Sequence, residues 1–429
     1  MNAMKKILLL GTVITTLLFV VCCGKDDNPS PPPVVIPTTI TLTPQSAIIS
    51  ALGGAQTLTV TANADWTVNS NASWLTATKL NATSLKIEAG MNTYTSRNTT
   101  VRCSAGTVTA TLNVSQAQIT AMQSDSLALV DLYNATAGSA SWTRKWTLTT
   151  PVHQWSGVTV TANRVTELRL SANKLTGALP ESFGNLTVLR HCDFSNNNLS
   201  GAVPASINRL TQLEYLDLSE NTTMNGTFPT INALTKLSVF DISFNSFTAL
   251  PALNTLTALK YLAFSKNKFS GSLPDNFSAL TNLIYLDASF NNFSGNIPST
   301  WSSLSKMKVL FLYKNSLSGS IPTYIVTSFT VLEALALDGN NLSGNIPTNL
   351  GSLSTLNDLW LAQNRLTGEI PNSLLSNSHW AAWKNDVCPQ QSGYGFSNCT
   401  GSPAPTSTMN VKRSAVLEKA KEKYKAALQ

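Results

Sequence analysis

Histidine, aspartate and serine occur together in one short stretch, and this is the combination that nucleophilic catalysis uses. His191 is followed by Asp193 and Ser195, so a base, a carboxylate and a hydroxyl lie close together in the sequence. The two other histidines, His153 and His379, do not pair with a further histidine at a metal-ligand spacing. The sequence also contains no Gly-x-Ser-x-Gly motif and no phosphate-binding loop.

The Asp-x-Ser pair recurs at the same place in successive copies of a longer phrase. The further copies are Asp217 with Ser219, Asp241 with Ser243, and Asp287 with Ser289. A column repeated through the chain indicates structure, and we expect the single His191 in it to be exposed. The sequence therefore predicts that the protein is not an enzyme, with no catalytic residues, no metal site and no cofactor.

The element that positions this column is a phrase of the form Leu-x-x-Leu-x-Leu-x-x-Asn, repeated at intervals of 22 to 25 residues. Its asparagines are Asn173, Asn197, Asn221, Asn245, Asn267, Asn291, Asn315, Asn340 and Asn364. Alternating apolar residues predict a short strand with one buried face, which only stacked neighbours can cover. We expect each asparagine amide to satisfy backbone groups where the chain leaves its strand. A fixed period of this length predicts a solenoid.

A glycine and, three residues later, a proline follow most copies, as in "NKLTGALPESFGNLTVL". This unit resembles the plant-type leucine-rich repeat across residues 164–378. The resemblance implies nine repeats with an inner parallel sheet, whose outward-pointing side chains usually take the ligand. Those side chains are mostly Asp-x-Ser with tyrosines through the sixth repeat, and they change at the seventh.

The predicted ligand-binding residues lie where the pattern changes. They are Tyr285, at which the tyrosine column ends, and the changed positions Phe311, Tyr313, Asp338, Asp358 and Trp360. Exposed aromatic rings suit protein hot spots or stacking on sugars, so we expect a patch that captures an extracellular protein or a glycan. The alternative is that the rings shield one another near the C-terminal end of the solenoid.

The N-terminus is predicted to direct export. Lys5 and Lys6 precede an apolar run that ends at Cys22 and Cys23, which is typical of a secretory signal. Residues 1–23 resemble a bacterial lipoprotein signal, which implies acylation of Cys23 or Cys22, and residues 24–37 form a Pro-rich linker. The following Lys-Asp-Asp cluster resembles the signal for the outward face of the outer membrane. A simple secreted protein is the alternative.

Residues 38–118 are rich in Thr, Ser, Ala and Val with period-two alternation, which predicts a β-sandwich. The phrases "ADWTVNSNASWLTA" and "GTVTATLNVSQA" resemble the BACON domain, an immunoglobulin-like module for which carbohydrate binding has been proposed. Trp66, Trp74 and Tyr94 are the candidate aromatics. The alternative is that the tryptophans form the core and that the module is a spacer.

Both ends of the solenoid need a cap. In residues 119–163 we expect a helix capped by Ser124, with Leu127, Val130 and Tyr133 on one face. Three tryptophans would then plug the first repeat: Trp142, Trp146 and Trp155. Residues 379–400 are the C-terminal cap.

The remaining cysteines have structural roles in this interpretation. Cys388 and Cys399 are predicted to form a disulfide in the C-terminal cap, since the protein is exported. Cys192 takes a buried leucine position in the second repeat, and Cys103 lies in a predicted strand of the N-terminal module.

Residues 401–429 form a linker and a basic tail in which Leu417, Ala420, Tyr424 and Leu428 follow helical spacing. We expect this tail to be a solvated helix, although such a stretch could touch a partner or an acidic surface. The leader lysines and the net +4 of the tail leave only +1 of the formal charge of +7 for everything else. The basic pI is therefore no sign of nucleic-acid binding.

Taken together, the sequence predicts a mostly β chain with α/β solenoid character. An N-terminal immunoglobulin-like sandwich precedes a nine-repeat leucine-rich-repeat solenoid with caps. The predicted function is that of a monomeric, lipid-anchored, non-catalytic binding protein. The alternative is a structural component of the cell envelope with no exogenous ligand.

Overall fold

A computed structural model describes residues 34–399, 415, 416, 418–420 and 422–425. The chain divides into two compact units, residues 1–118 and 119–429, and each is described by itself. The predicted signal, with Cys22 and Cys23, lies outside the described residues. None of the helices in the described ranges is long and apolar enough to span a bilayer.

The first unit consists of eight strands in two four-stranded sheets. The strands are β1 (Ile40–Thr43), β2 (Ser46–Ile49), β3 (Gly54–Ala62), β4 (Thr67–Ser70), β5 (Leu75–Asn81), β6 (Ser84–Ala89), β7 (Arg97–Ala105) and β8 (Val108–Gln116). One sheet has the order β1-β3-β6-β5 and the other β2-β8-β7-β4. Alternate side chains of both sheets, such as Val60 and Val101, contribute to one buried cluster. The predicted alternation therefore builds a two-layer core.

The second unit contains nineteen strands among its described residues, most of them only two to five residues long. In chain order they are β9 (Val158–Thr161), β10 (Arg164–Arg169), β11 (Thr176–Gly177), β12 (His191–Asp193), β13 (Asn198–Gly201), β14 (Tyr215–Asp217), β15 (Thr223–Thr227), β16 (Val239–Asp241), β17 (Ser246–Ala249), β18 (Tyr261–Ala263), β19 (Ser270–Ser272), β20 (Tyr285–Asp287), β21 (Asn292–Gly295), β22 (Val309–Phe311), β23 (Ser316–Leu317), β24 (Ala334–Ala336), β25 (Ser343–Gly344), β26 (Asp358–Trp360) and β27 (Arg365–Leu366).

The longest sheet of this unit is the inner sheet of the solenoid. Its ten strands run β26-β24-β22-β20-β18-β16-β14-β12-β10-β9, and only the β9–β10 pair is antiparallel. Each strand pairs in the same register with the next, so Leu216 lies opposite Cys192 on one side and Phe240 on the other. These middle residues are fully buried, which leaves the first and third residue of each strand to form the inner face.

Helices and short strands form the rest of each coil. The helices are α1 (Ala121–Ala135), α2 (Tyr324–Thr327), α3 (Asn372–Leu375) and α4 (Trp380–Val387). Single 3-10 turns cover Val152–Gln154, Glu181–Asn185, Ala205–Arg209, Asp275–Ala279, Ser299–Ser303 and Leu350–Ser352. Apolar side chains from the turns and strands join one continuous core.

The asparagine column forms the expected ladder of buried amides. The Asn221 Nδ2 donates to the carbonyls of Phe194 at 3.0 Å, Leu218 at 3.0 Å and Ser219 at 3.2 Å. Its Oδ1 accepts from the amide of Leu199 at 3.0 Å. The eight asparagines from Asn197 to Asn364 each tie their own bend to the preceding coil in this way, which confirms the role predicted for this residue. Asn173 instead bonds Arg144 of the N-terminal cap.

One rung of this ladder is incomplete. The Oδ1 of Asn245 is buried and has no hydrogen-bond partner among the described residues. Asn221 and Gly226 are five residues apart, whereas Asn197 and Gly201 are four apart, so the third coil holds an extra residue. The amide of Met224 then bonds the carbonyl of Asn221 at 2.9 Å instead.

The N-terminal cap begins one turn earlier than predicted. Thr120, and not Ser124, caps α1, because the Thr120 hydroxyl and the Gln123 amide satisfy each other's backbone N–H in a capping box. The buried face of α1 consists of Asp125, Ala128, Leu129, Leu132 and Tyr133. Val130 is half-buried and packs against the same core, whereas Leu127 lies outside that cluster.

The aromatic plug of this cap is a stack. Trp146 lies between Tyr133, with ring centroids 5.6 Å apart, and Trp155, at 4.8 Å, while Trp142 meets it edge-on at 4.8 Å. All three tryptophans are buried. At the other end of the solenoid, α3 and α4 cover the last coil and a disulfide joins Cys388 to Cys399.

Candidate binding face

The inner face changes from acidic to aromatic along the solenoid. In the third position of each strand, Asp193, Asp217 and Asp241 stand in adjacent register, and Asp287 follows two strands later. The same column continues in Phe311, Ala336 and Trp360. In the first position, Tyr261 stacks on Tyr285 with ring centroids 4.4 Å apart.

Serines hold the aspartates in place. The Ser219 hydroxyl donates to the Oδ1 of Asp217 at 2.6 Å, and the Ser219 amide donates to the same oxygen at 2.9 Å. The Ser243 amide likewise donates to the Oδ1 of Asp241 at 3.0 Å. Burial, reinforced by the neighbouring Asp241, raises the pKa of Asp217 to about 6. The Asp-x-Ser column therefore fixes one oxygen of each carboxylate to its own strand.

A helical segment of the C-terminal tail lies on this face. The Lys425 Nζ contacts the Oδ2 of Asp241 at 2.7 Å and also forms an ion pair with Asp217. Burial alone would lower the pKa of Lys425, but the charges of Asp241 and Asp217 raise it, so the lysine stays charged. The expectation of a solvated tail is wrong for Lys425, which is buried because the acidic column pairs with it, in line with the alternative of an acidic surface. The neighbouring Glu422 and Lys423 are exposed.

The rest of the described tail makes lighter contacts. Val416, Ala420 and Tyr424 are half-buried against the inner-face cluster. The Lys423 Nζ lies 2.7 Å from the Oε2 of Glu333. Burial alone would raise the pKa of Glu333, but hydrogen bonds, of which that from Lys423 is the largest, lower it to about 2. Leu417 and Leu428 of the predicted tail face lie outside the described residues.

The structure brings the predicted ligand-binding aromatics together, but it buries them. Tyr285, Phe311, Tyr313 and Trp360 belong to one cluster and are at most 4% exposed. Phe311 is the centre of this cluster, with ring centroids 6.0 Å from Tyr285 and 6.4 Å from both Tyr313 and Trp360. The expectation of an exposed patch was therefore wrong, because the rings meet edge-on and the tail packs against the cluster.

The two predicted acidic residues differ in burial. Asp338 is buried, whereas Asp358 is half-buried, and burial raises the pKa of its carboxyl group. The pattern of the last repeats gave no reason to choose Asp217, Asp241 or Glu333. The signal for them was the charge complementarity between the repeated aspartate column and the basic tail.

His191 does not form a catalytic pair with Ser195. The Ser195 hydroxyl donates to Asp193 at 2.7 Å, while the His191 ring stacks on Tyr215 at 4.1 Å between centroids. His191 is buried and not exposed as predicted; burial and the charge of Arg169 lower its pKa to about 4. In the described ranges, no group of three or more His, Cys, Asp and Glu side chains could hold a metal ion.

The candidate aromatics of the first unit lie in three environments. Trp66 is buried and its Nε1 donates to the carbonyl of Ala82 at 2.7 Å, as a core tryptophan does. Trp74 is half-buried beneath the Arg97 guanidinium, 4.5 Å from the ring centroid. Tyr94 is 78% exposed. The structure does not bring them together as one aromatic platform.

The match to a known family lies in the second unit. Residues 164–379 match the family model described as "Leucine-rich repeat region". The ectodomain of the Arabidopsis receptor kinase HAESA, in complex with an N-terminally extended IDA peptide hormone, is 27% identical with a TM-score of 0.52. That match covers 61% of this chain and 44% of that one. No curated protein matches this chain in sequence.

Two further solved structures are similar over part of the chain. The ectodomain of the Arabidopsis thaliana receptor kinase GASSHO1/SCHENGEN3 is 34% identical, with a TM-score of 0.47, over 53% of this chain and 26% of that one. A leucine-rich repeat protein of Leptospira interrogans is 25% identical, with a TM-score of 0.39, over 57% and 68%. This chain thus spans less than half of either plant ectodomain. None of these matches indicates a catalytic family.

Proposed function

This chain belongs to the leucine-rich repeat proteins, and we propose that it is a non-catalytic binding protein that captures a protein segment on its inner sheet face. The observation that carries the proposal is that this face already holds a protein segment, the tail helix, through Lys425 and Lys423. The HAESA ectodomain, whose repeats share this fold, was solved with a peptide hormone.

A protein segment fits the face better than a glycan does. Sugar rings stack on the flat faces of exposed aromatic side chains. Here the predicted rings are buried edge-on against one another, while the polar part of the face is a column of carboxylates. Carboxylates held in a low-dielectric setting attract cationic side chains of proteins.

The second part of the proposal concerns location: a lipid on Cys23 or Cys22 anchors the protein in the bacterial outer membrane, facing outward. The first unit is then a BACON-like, immunoglobulin-like spacer. Replacing both Cys22 and Cys23 with alanine should release the protein from membranes, and each single replacement identifies the acylated residue. Protease added to intact cells should degrade the native form. Full protection of the native form would refute outward display.

Site-specific photo-cross-linking on living cells tests the binding function. A photoreactive residue at Asp193, on the inner face, should couple to an exogenous protein. The matched control is Ser272, exposed on the short strand β19. Equal coupling from both positions, or coupling only to constant envelope neighbours, would contradict the proposal; the latter result would support a structural role in the envelope.

A further inference from the structure

Lys425 occupies a site made for a single ammonium group. Its residue is 8% exposed, and the carboxylates on either side, from Asp217 and Asp241, are 3% and 0% exposed. These two aspartates are register partners on adjacent strands. Because their Oδ1 atoms accept hydrogen bonds from Ser219 and Ser243, their Oδ2 atoms face the Lys425 Nζ.

This site requires a cation. Two buried carboxylates side by side disfavour each other's charge, and a buried charge is tolerated only when it is paired. A lysine pairs with both carboxylates at once, because its ammonium group is a compact point charge with three donors. The Nζ also lies 5.8 Å from the ring centroid of Tyr261, which adds an aromatic wall. A segment that binds this face is therefore expected to place a lysine between Asp217 and Asp241.

The chain's own tail is an imperfect occupant. Glu418 and Glu422 precede Lys425 by seven and three residues, so they share its side of the helix. Both line a groove of about 420 Å³ whose other walls include Asp193 and Glu220. Carboxylates of the helix thus face carboxylates of the solenoid. A helix with lysine at these two positions would match the groove better.

We propose that the inner face is a receptor site for a basic amphipathic helix that inserts a lysine between Asp217 and Asp241, and that the chain's own tail is a displaceable occupant of this site. This inference rests on the proposed binding function. The partner helix carries an aromatic residue before its inserted lysine, in the place of Tyr424, and a second cation for Glu333, in the place of Lys423.

Fluorescence anisotropy with a labelled peptide of residues 411–429 tests this directly. Full-length wild-type protein should bind the peptide weakly, because its own tail fills the site. Full-length Lys425→Gln should bind it at least tenfold more tightly, and Lys268→Gln, which changes an exposed lysine of the solenoid, should behave as wild type. A peptide carrying Glu418→Lys and Glu422→Lys should bind more tightly than the parent peptide.

Two further arms keep the test decisive. Adding Asp217→Asn to Lys425→Gln should remove peptide binding; circular dichroism must show that both variants are folded. On the unmodified protein, carbodiimide coupling followed by mass spectrometry should join Lys425 to Asp217 or Asp241, and excess Lys-substituted peptide should replace that product with a peptide adduct.

Three results would overturn the inference. The peptide does not bind folded Lys425→Gln, it binds equally well when its own inserted lysine is glutamine, or saturating peptide leaves the internal cross-link unchanged. If Asp193 still photo-couples to a partner that is insensitive to Asp217→Asn, the binding function stands and this site assignment fails. Light scattering distinguishes a helix from a different protein from the tail of a second copy of this chain. If copies exchange tails, dimers form as the protein concentration rises.

Discussion

Asn221→Ala and Asn245→Ala are a matched pair that measures one rung of the asparagine ladder. The Nδ2 of Asn245 donates to Leu218 at 2.9 Å, to Ile242 at 3.1 Å and to Ser243 at 3.2 Å, which parallels the three bonds of Asn221. Both substitutions therefore remove the same set of contacts, in which the two N–H groups of one amide reach three carbonyls. Only Asn221→Ala also leaves a buried backbone amide, that of Leu199, without its acceptor.

The difference between the two variants follows from that single amide. A net hydrogen bond is worth about 1 kcal/mol, so loss of the two N–H donors that both asparagines share predicts a loss of about 1 to 3 kcal/mol in both proteins. A buried donor without a partner costs a further ~1–3 kcal/mol. We therefore expect Asn221→Ala to lower the free energy of unfolding by about 1 to 3 kcal/mol more than Asn245→Ala does.

Urea unfolding followed by circular dichroism gives the free energies, provided that the m-values of the variants agree. Hydrogen exchange gives the local readout. The amide of Leu199 should lose protection in Asn221→Ala, whereas in Asn245→Ala the amide of Met224 keeps its bond to a backbone carbonyl and its protection. Equal destabilisation by the two substitutions, or unchanged protection of Leu199, would refute the reasoning.

Three further predictions concern stability. The lowered pKa of His191, about 4, means that the unfolded chain binds a proton which the folded chain excludes, so stability is lost as pH falls from 6.5 towards 4. His191→Phe should remove that loss, worth on the order of 2 kcal/mol at pH 4.5, with little change at pH 7.5 in thermal melts. Asp125→Ala leaves Arg164 without its buried carboxylate, at 2.8 Å, and should cost about 3 to 5 kcal/mol in urea unfolding. Cys388→Ser opens the loop that the disulfide to Cys399 closes, with a sequence separation of 11, and should cost about 2 to 3 kcal/mol relative to the oxidised wild type, whereas the reduced wild type should show the same loss.

Each of these predictions has a clear contradiction. Parallel pH profiles of wild type and His191→Phe would show that another group causes the acid sensitivity. A double variant of Asp125 and Arg164 that is less stable than Asp125→Ala would show that the unpaired charge is not the main cost. Loss of stability in Cys388→Ser without any effect of reductant on wild type would show that the disulfide is not the cause.

The period of the sequence predicts the scaffold, and the family match confirms the leucine-rich repeat. Regular spacing assigns each residue to the core or to the inner face, because the strand geometry is the same in every coil. The capping box of Thr120 and Gln123 is also visible in the sequence, but Ser124 fits the same rule for a helix start, so the sequence alone does not separate the two. Periodicity therefore predicts which side chains are buried better than it predicts where a helix begins.

Exposure on the inner face could not be read from the period. The rule that places Phe311 and Trp360 on this face does not say whether another segment covers it. The covering segment lies far along the chain, and Lys425 meets Asp241 across a separation of 184 residues. Such a contact depends on how the tail returns to the solenoid, which no local pattern encodes.

Lys425 also has a mechanical consequence for the solenoid. Asp217 and Asp241 belong to the two coils whose shared asparagine rung lacks one bond, that of the Asn245 Oδ1. Stacked coils unfold cooperatively only as far as their interfaces couple them. Lys425 links the two coils whose asparagine rung lacks one hydrogen bond. When the tail leaves, the energetic coupling between these two coils therefore falls. Occupancy of the inner face would thus determine whether local unfolding that starts at one end of the solenoid spreads across these two coils to the other end.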